Sequence, residues 1–423
     1  MGQIPVTTKK RRWILGFLLL AGLVLLAWAL GIGEFLAKQM AWSALGTRNY
    51  DRALFWADRA NRGNSGDAEA EFLLGRIARK QGRMDDFSKH SRRAETLGFD
   101  RERIRRERIL SDAQTGNIER TREDLPRLLM DQQGDGAEIC EAFSNCLLIN
   151  GVEDEAKKLI ELWSAAFPHD PHPDVLHGRL AEFHTRPNDA ERHYHAALKK
   201  SQNYPPALFG LARTLGELNR WQEAAELYQV GLKMPLPGPA QYGLARCLRN
   251  LGREDEAFEL LQAAAAIPAE QYSAALRDLG EPTENDSLAT ELGTLEANRG
   301  HTAEAVRWLQ RALDYNPKHR AARYQLAKAL QANGDSDQAQ PHFDYLNALE
   351  TKLKQIDRLH DDLIANPENV ETRYQLGLLS LDALSEQAGV FWLRSVLARQ
   401  PDHQGAKSAL LQHFSSPAKN RSD

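Results

Sequence analysis

The chain has 423 residues, of which 42% are hydrophobic and 26% charged, a composition that excludes a disordered or fibrous chain. Its net charge of −4 is too small to make nucleic acid the general partner. Three cysteines, Cys140, Cys146 and Cys247, with no CxxC among them, exclude a disulfide framework and a compact zinc or redox motif.

The first element is apolar. Four cations in Thr8–Arg12 precede Trp13–Gly33, a run without a charge. As a helix it is about 30 Å long, the thickness of a bilayer core. Trp13 and Trp28 lie near its ends, where indole rings favour the interface. The positive-inside bias places residues 1–12 as a basic tip in the cytoplasm, residues 13–33 as an uncleaved transmembrane signal anchor, and the rest on the far side, as in a bacterial inner-membrane protein facing the periplasm. "AWA" (Ala27–Ala29) also has the form of a signal-peptidase site, and cleavage there would yield a secreted soluble protein. "GIGEFL" starts like a dinucleotide fingerprint but lacks its third glycine.

From Glu34 onward one pattern of small residues returns in steps of about 34, a repeat architecture. The copy starting at Glu34 has Ala41, Ala53 and Ala60 at positions 8, 20 and 27. The copy starting at Ala68 has Leu74, Gly75, Gly82 and Ala94 at 7, 8, 15 and 27. Starts at Glu102 and Ala137 follow, with Gly116 and Gly151 at position 15. Starts at Pro171, Pro205 and Gly238 place Gly178, Ala212 and Ala245 at position 8. After 272–285, an irregular insertion read as a partial helix and a loop, come starts at Asp286 (Leu292, Gly293, Gly300, Ala305, Ala312, Pro317) and Arg320 (Leu326, Ala327, Gly334, Ala339). Residues 354–369, with Ile356, Leu359 and Leu363 at helical spacing, predict an extra helix before the last start at Val370. Residues 404–414 read as a capping helix and 415–423 as a disordered tail.

The spacing has a physical reading. Small residues at 8, 20 and 27 let two antiparallel helices approach, and large ones at 7 and 24 fill the remaining space. Gly or Asn at 15 suits a left-handed cap, and Pro at 32 stops the second helix. A hairpin of two such helices leaves one apolar face open, so units must stack. Leu-Gly at 7–8, Ala at 20 and 27 and Pro at 32 with a period of 34 resemble the tetratricopeptide repeat (TPR). The resemblance implies an all-α solenoid of about ten helical hairpins: seven over 34–271 and three over 286–403. It departs most at Arg108 and Thr121 in the copy starting at 102, at His177 in the copy starting at 171, and at Gly389 in the copy starting at 370.

No catalytic motif of the GxxxxGK[ST], HExxH, GxSxG or CxxCH type occurs. No enzyme activity, cofactor, metal or small-molecule substrate is therefore expected. His169, His172, His177, His184, His193 and His195 cluster, but their spacing fits no compact metal motif. "RERIRRER" (Arg101–Arg108) reads as a solvated helix face. The resemblance implies that first-helix positions 5, 9 and 12 face a concave groove. Position 5 includes Phe209, Tyr242 and Tyr324; position 9 includes Arg76, Arg179, Arg213, Arg246 and Lys328; Arg249 stands at 12. Aromatic rings beside guanidinium groups suit an extended, acidic peptide. The expectation is a membrane-anchored adaptor for a protein or peptide partner. The alternative is an accessory subunit of an envelope biogenesis or export complex.

Overall fold

The computed structural model describes residues 32–234, 237–281 and 286–415. The basic tip, residues 13–31 of the expected membrane segment and residues 416–423 of the tail lie outside them. Among the described residues every element is a helix, and none is long and apolar enough to cross a membrane.

The helices come in pairs. The first are α1 (Ile32–Gly46) with α2 (Tyr50–Gly63), and α3 (Ala68–Lys80) with α4 (Met84–Thr96). The third first-helix, α5 (Arg101–Gln114), is followed by two short pieces, α6 (Ile118–Thr121) and α7 (Asp124–Met130). Then come α8 (Gly136–Ile149) with α9 (Glu153–Ala166), α10 (His172–Phe183) with α11 (Pro187–Lys200), α12 (Pro205–Glu217) with α13 (Trp221–Gly231), and α14 (Gly238–Asn250) with α15 (Glu254–Ala265). A single helix, α16 (Ala269–Leu279), interrupts the pairing. The last elements are α17 (Asp286–Asn298) with α18 (Thr302–Tyr315), α19 (Arg320–Ala332) with α20 (Ser336–Ala365), α21 (Val370–Ala383) with α22 (Glu386–Arg399), and α23 (Gln404–Ser415).

Local chemistry sets these boundaries. Asp67, Asn369 and Ser385 precede α3, α21 and α22 and accept hydrogen bonds from free first-turn amides. First helices end in the left-handed region at position 15 in every copy but the last, where Leu384 has φ −110°. Gly82, Gly116, Gly151, Gly252, Gly300 and Gly334 stand there with positive φ, and so do Arg48, Thr185 and Asn219. The repeat imposes that conformation even where the residue resists it. Position 8 is small because the second helix lies against it: a Cβ on Gly293 would sit 2.6 Å from Leu309 Cγ. Leu292, Leu309 and Leu326 are at most 1% exposed, each such burial contributing about 1.5–3 kcal/mol.

The helical part of the 272–285 insertion is the end of α16, where Tyr272, Ala275, Leu276 and Leu279 form a buried stripe. Gly280, with φ 66°, ends that helix in the left-handed region. The extra helix expected at 354–369 is no separate element. It is the far end of α20, which runs 30 residues without a break. The stretch between the two apolar halves, Asn347–Lys354, holds no Gly or Pro to stop it. Its buried residues Leu349 and Ile356 form a core with Leu376 and Ala383 of α21.

The chain divides into two compact units inside α5, one ending at Ser111 and the other starting at Asp112. The first unit packs Ala41, Ala44, Ala53, Ala57, Leu73 and Ile77 between its hairpins. In the second, the end of the array returns to its beginning. Phe391 of α22 lies 5.8 Å from Phe183 of α10, and Arg399 donates to the Gly151 carbonyl at 3.3 Å, across 248 residues of chain.

Candidate partner-binding groove

In the second unit the first helices α10, α12 and α14 carry Arg179, Arg213 and Arg246 at position 9. Two of them, Arg179 and Arg213, are met by another part of their own chain. Helix α16 packs against α12 and α14 and shares one core with Tyr228 and Leu244. Its C-terminal end meets Arg179 and Arg213. Arg179 Nη2 donates to the Leu279 carbonyl at 2.7 Å, one of the carbonyls a helix end leaves unpaired. A Cβ on Gly280 would lie 2.2 Å from Arg179 Nη2, so the tight left-handed turn is where the guanidinium fits. Arg213 pairs with Glu281, the next residue.

Arg213 also forks onto Glu182 of α10, with Nε to Oε1 at 3.1 Å and Nη2 to Oε2 at 2.7 Å. Thr214 and Tyr194 donate to the same carboxylate, at 2.9 and 2.8 Å. Burial, reinforced by Glu182, pushes the Tyr194 hydroxyl upward. Arg213 is held still more firmly charged: burial opposes its charge, but Glu281 and Glu182 outweigh it. Arg249 donates to Glu291 of α17 at 2.5 Å. Burial holds the Glu291 carboxyl above its usual range, against the lowering by Arg249 and Arg246.

The remaining expected site residues divide into two groups. Phe209 is only 5% exposed and packs edge-on against Tyr228 at 5.6 Å, so it belongs to the core. Arg246 lies 5.9 Å from the ring of half-buried Tyr242. Arg76, in the first unit, is buried and pairs with Glu107 at 3.0 Å. On α19 the arrangement is open: Tyr324 is 46% exposed, and the ammonium of exposed Lys328 lies 5.7 Å from its ring centroid.

The sequence reading missed Glu182, Glu281, Glu291 and the Leu279 carbonyl. Glu182 had a signal, since it stands at position 12 of its copy, the position already read for Arg249. Glu281 had none. In the first unit the reading also missed Arg103, whose guanidinium lies 5.2, 4.9 and 5.5 Å from the rings of Trp42, Phe72 and Phe99. Among the histidines, His177 and His193 stack at 5.2 Å. Among the described residues no three metal-ligating side chains converge.

Tetratricopeptide-repeat family profiles match residues 38–94, 184–234, 239–266 and 298–352. The chain is a TPR protein. No curated protein matches it. Among solved structures, this TPR chain is similar to PilW, described as a widely conserved type IV pilus biogenesis factor. The identity is 16% over 50% of this chain and 92% of that one, with a TM-score of 0.42. It is similar to YrrB, described as a TPR protein with an unusual peptide-binding site, at 21% identity over 51% and 97% of the two chains and a TM-score of 0.29. The APC/C hetero-tetramer Cut9-Hcn1 matches over 90% of this chain and 96% of that chain, at 14% identity and a TM-score of 0.37. These likenesses concern the helical-repeat fold alone.

Proposed function

We propose that this TPR protein is a non-catalytic adaptor, held at a cell-envelope membrane by residues 13–33, with its N-terminus cytoplasmic and its repeats extracytoplasmic. The anchor rests on the charge-free run Trp13–Gly33 behind four cations. The partner is a protein or peptide with acidic groups, and it docks on the open face of α19. One observation carries this reading. Tyr324 and Lys328 keep an aromatic ring and a cation exposed together, while the equivalent pair Phe209 and Arg213 is covered from within.

The test is affinity purification of the full chain from detergent-solubilised membranes, beside the double variant Tyr324→Ala/Lys328→Glu. The adaptor reading expects proteins recovered with the parent chain to be lost with the variant. Equal recovery by both would remove α19 as the docking face. A varied set of recovered proteins marks a general adaptor; one stoichiometric protein marks a dedicated subunit of a larger complex.

A further inference from the structure

The outer side of α1 is uncharged. Ile32, Phe35, Leu36 and Met40 are 42%, 58%, 54% and 44% exposed, and exposed Gln39 and Ser43 complete the same face. The two charged residues of the helix turn elsewhere. Lys38 pairs with Asp67 at 2.8 Å and Glu69 at 2.9 Å. Glu34 lies against Gly63, where an added Cβ would meet its Oε1 at 2.6 Å.

The terminal helix of a solenoid has a repeat on one side only and ordinarily shows water a polar face. Here it shows four large apolar side chains. The chain that leads into this helix names the occupant. The charge-free run from Trp13 extends to Gly33 and so includes Ile32 and Gly33, the first described residues of α1, with no polar linker between. Ile32 to Met40 covers about 12 Å of helix, and a headgroup layer is roughly 5–8 Å deep on each side of the bilayer core. With the run Trp13–Gly33 as the anchor proposed above, the first turns of α1 fall within that layer. On the other helix of the hairpin, Arg52 and Arg59 share a stripe of α2 with Phe55, which is 59% exposed, a composition suited to anionic headgroups; Arg62, at the end of that stripe, pairs with Asp58 at 2.5 Å.

We propose that the apolar face of α1 is seated in the interfacial layer of the lipid bilayer, so that the first repeat rests on the membrane instead of standing off it. The proposal rests on the anchored reading above, and the test separates the two. The full chain is reconstituted in phosphatidylglycerol–phosphatidylcholine liposomes, with Phe35→Cys, Leu36→Cys, Met40→Cys or Lys89→Cys labelled singly by nitrobenzoxadiazole. The native thiols stay silent: all three are buried, and burial pushes Cys140 and Cys247 up to about 11. Because the substituted residues are exposed, the variants fold, and their helical circular dichroism is checked against the parent.

Seating in lipid gives blue-shifted emission at positions 35, 36 and 40 that spin-labelled lipid quenches, and water-like, unquenched emission at position 89. Water-like emission at all four positions, in a protein that resists carbonate extraction, overturns the seating and leaves the anchor standing. Blue-shifted emission that lipid does not quench, with disulfide-linked dimers forming through the unlabelled cysteines, overturns it in favour of a second copy. Release by carbonate removes the anchor and the seating together.

Discussion

Two copies of one repeat carry the same chemistry at the same positions and meet different fates. In the copy starting at Pro205, Phe209 and Arg213 stand at 5 and 9; in the copy starting at Arg320, Tyr324 and Lys328 do. Phe209 is 5% exposed and Tyr324 is 46% exposed. Arg213 is clasped by Glu182 and Glu281, while Lys328 stands in solvent beside its ring. Phe209 is buried against Tyr228 of its own hairpin, and Arg213 is held by Glu182 of the preceding copy and by Glu281, which follows α16. The composition of a repeat's inner positions therefore tells what a face can bind, and contacts from neighbouring copies and from an insertion decide whether anything external reaches it.

The largest effect is expected on removing Arg213. Arg213→Ala leaves Glu182 and Glu281 without their shared cation in a part-buried site. Stripping one partner from such a pair costs about 3 kcal/mol, read as a lower urea midpoint of the second unit. A change as small as that of a surface lysine would mean that α16 merely rests on the groove. Gly280→Ala tests the same contact from the other side. The new Cβ meets the Arg179 guanidinium and is held at φ 66°. A loss of roughly 1 kcal/mol is expected, with faster hydrogen exchange over α16. Protection that stays unchanged would show that the tight turn contributes nothing to the closure.

The repeat was legible because its physics is local. Helix starts at Ala68, Pro205, Gly238, Asp286, Arg320 and Val370 are the starts that the 34-residue spacing gives. Position 15 was legible too, and its conformation persists at Arg48 and Thr185, where the residue type gave no hint. The extent of α20 was obscured because the apolar periodicity of 354–364 was read as a fresh element, although nothing breaks the chain before it. The cover over the groove was harder. Leu279 lies 100 residues from Arg179 and Glu281 lies 68 from Arg213. No periodicity links such pairs, and Gly280, Glu281 and Pro282 read as a loop. The arginines were recognisable as binders of acidic groups; that their ligand is their own chain was not.

Glu291 sharpens the picture through pH. Its folded carboxyl titrates above the ordinary value of about 4.3, burial outweighing Arg249 and Arg246. The folded state thus holds this proton more tightly than the unfolded state. The contribution is fully present below the ordinary value and is lost as pH rises through the folded one. Glu291→Gln cannot titrate and should flatten that part of the profile, so the parent loses stability relative to the variant from about pH 4.3 upward. Thermal melts of the two proteins across that range read the difference. Parallel profiles would mean that the Arg249 pair fully offsets the burial of the carboxylate.

The smallest effect on stability is expected at the open face, and its smallness is the point. Tyr324→Ala removes a ring that is nearly half exposed and touches Phe343 edge-on at 6.5 Å. Lys328→Ala removes a solvated ammonium. Surface changes of this kind stay within about 0.5 kcal/mol, so both variants should melt with the parent. A pair that the fold does not need, at positions where Phe209 and Arg213 are put to structural use, is free for the external binding proposed for it. A loss near the 3 kcal/mol scale of the Arg213 change would place Tyr324 among the packing residues and return α19 to the same class as α12.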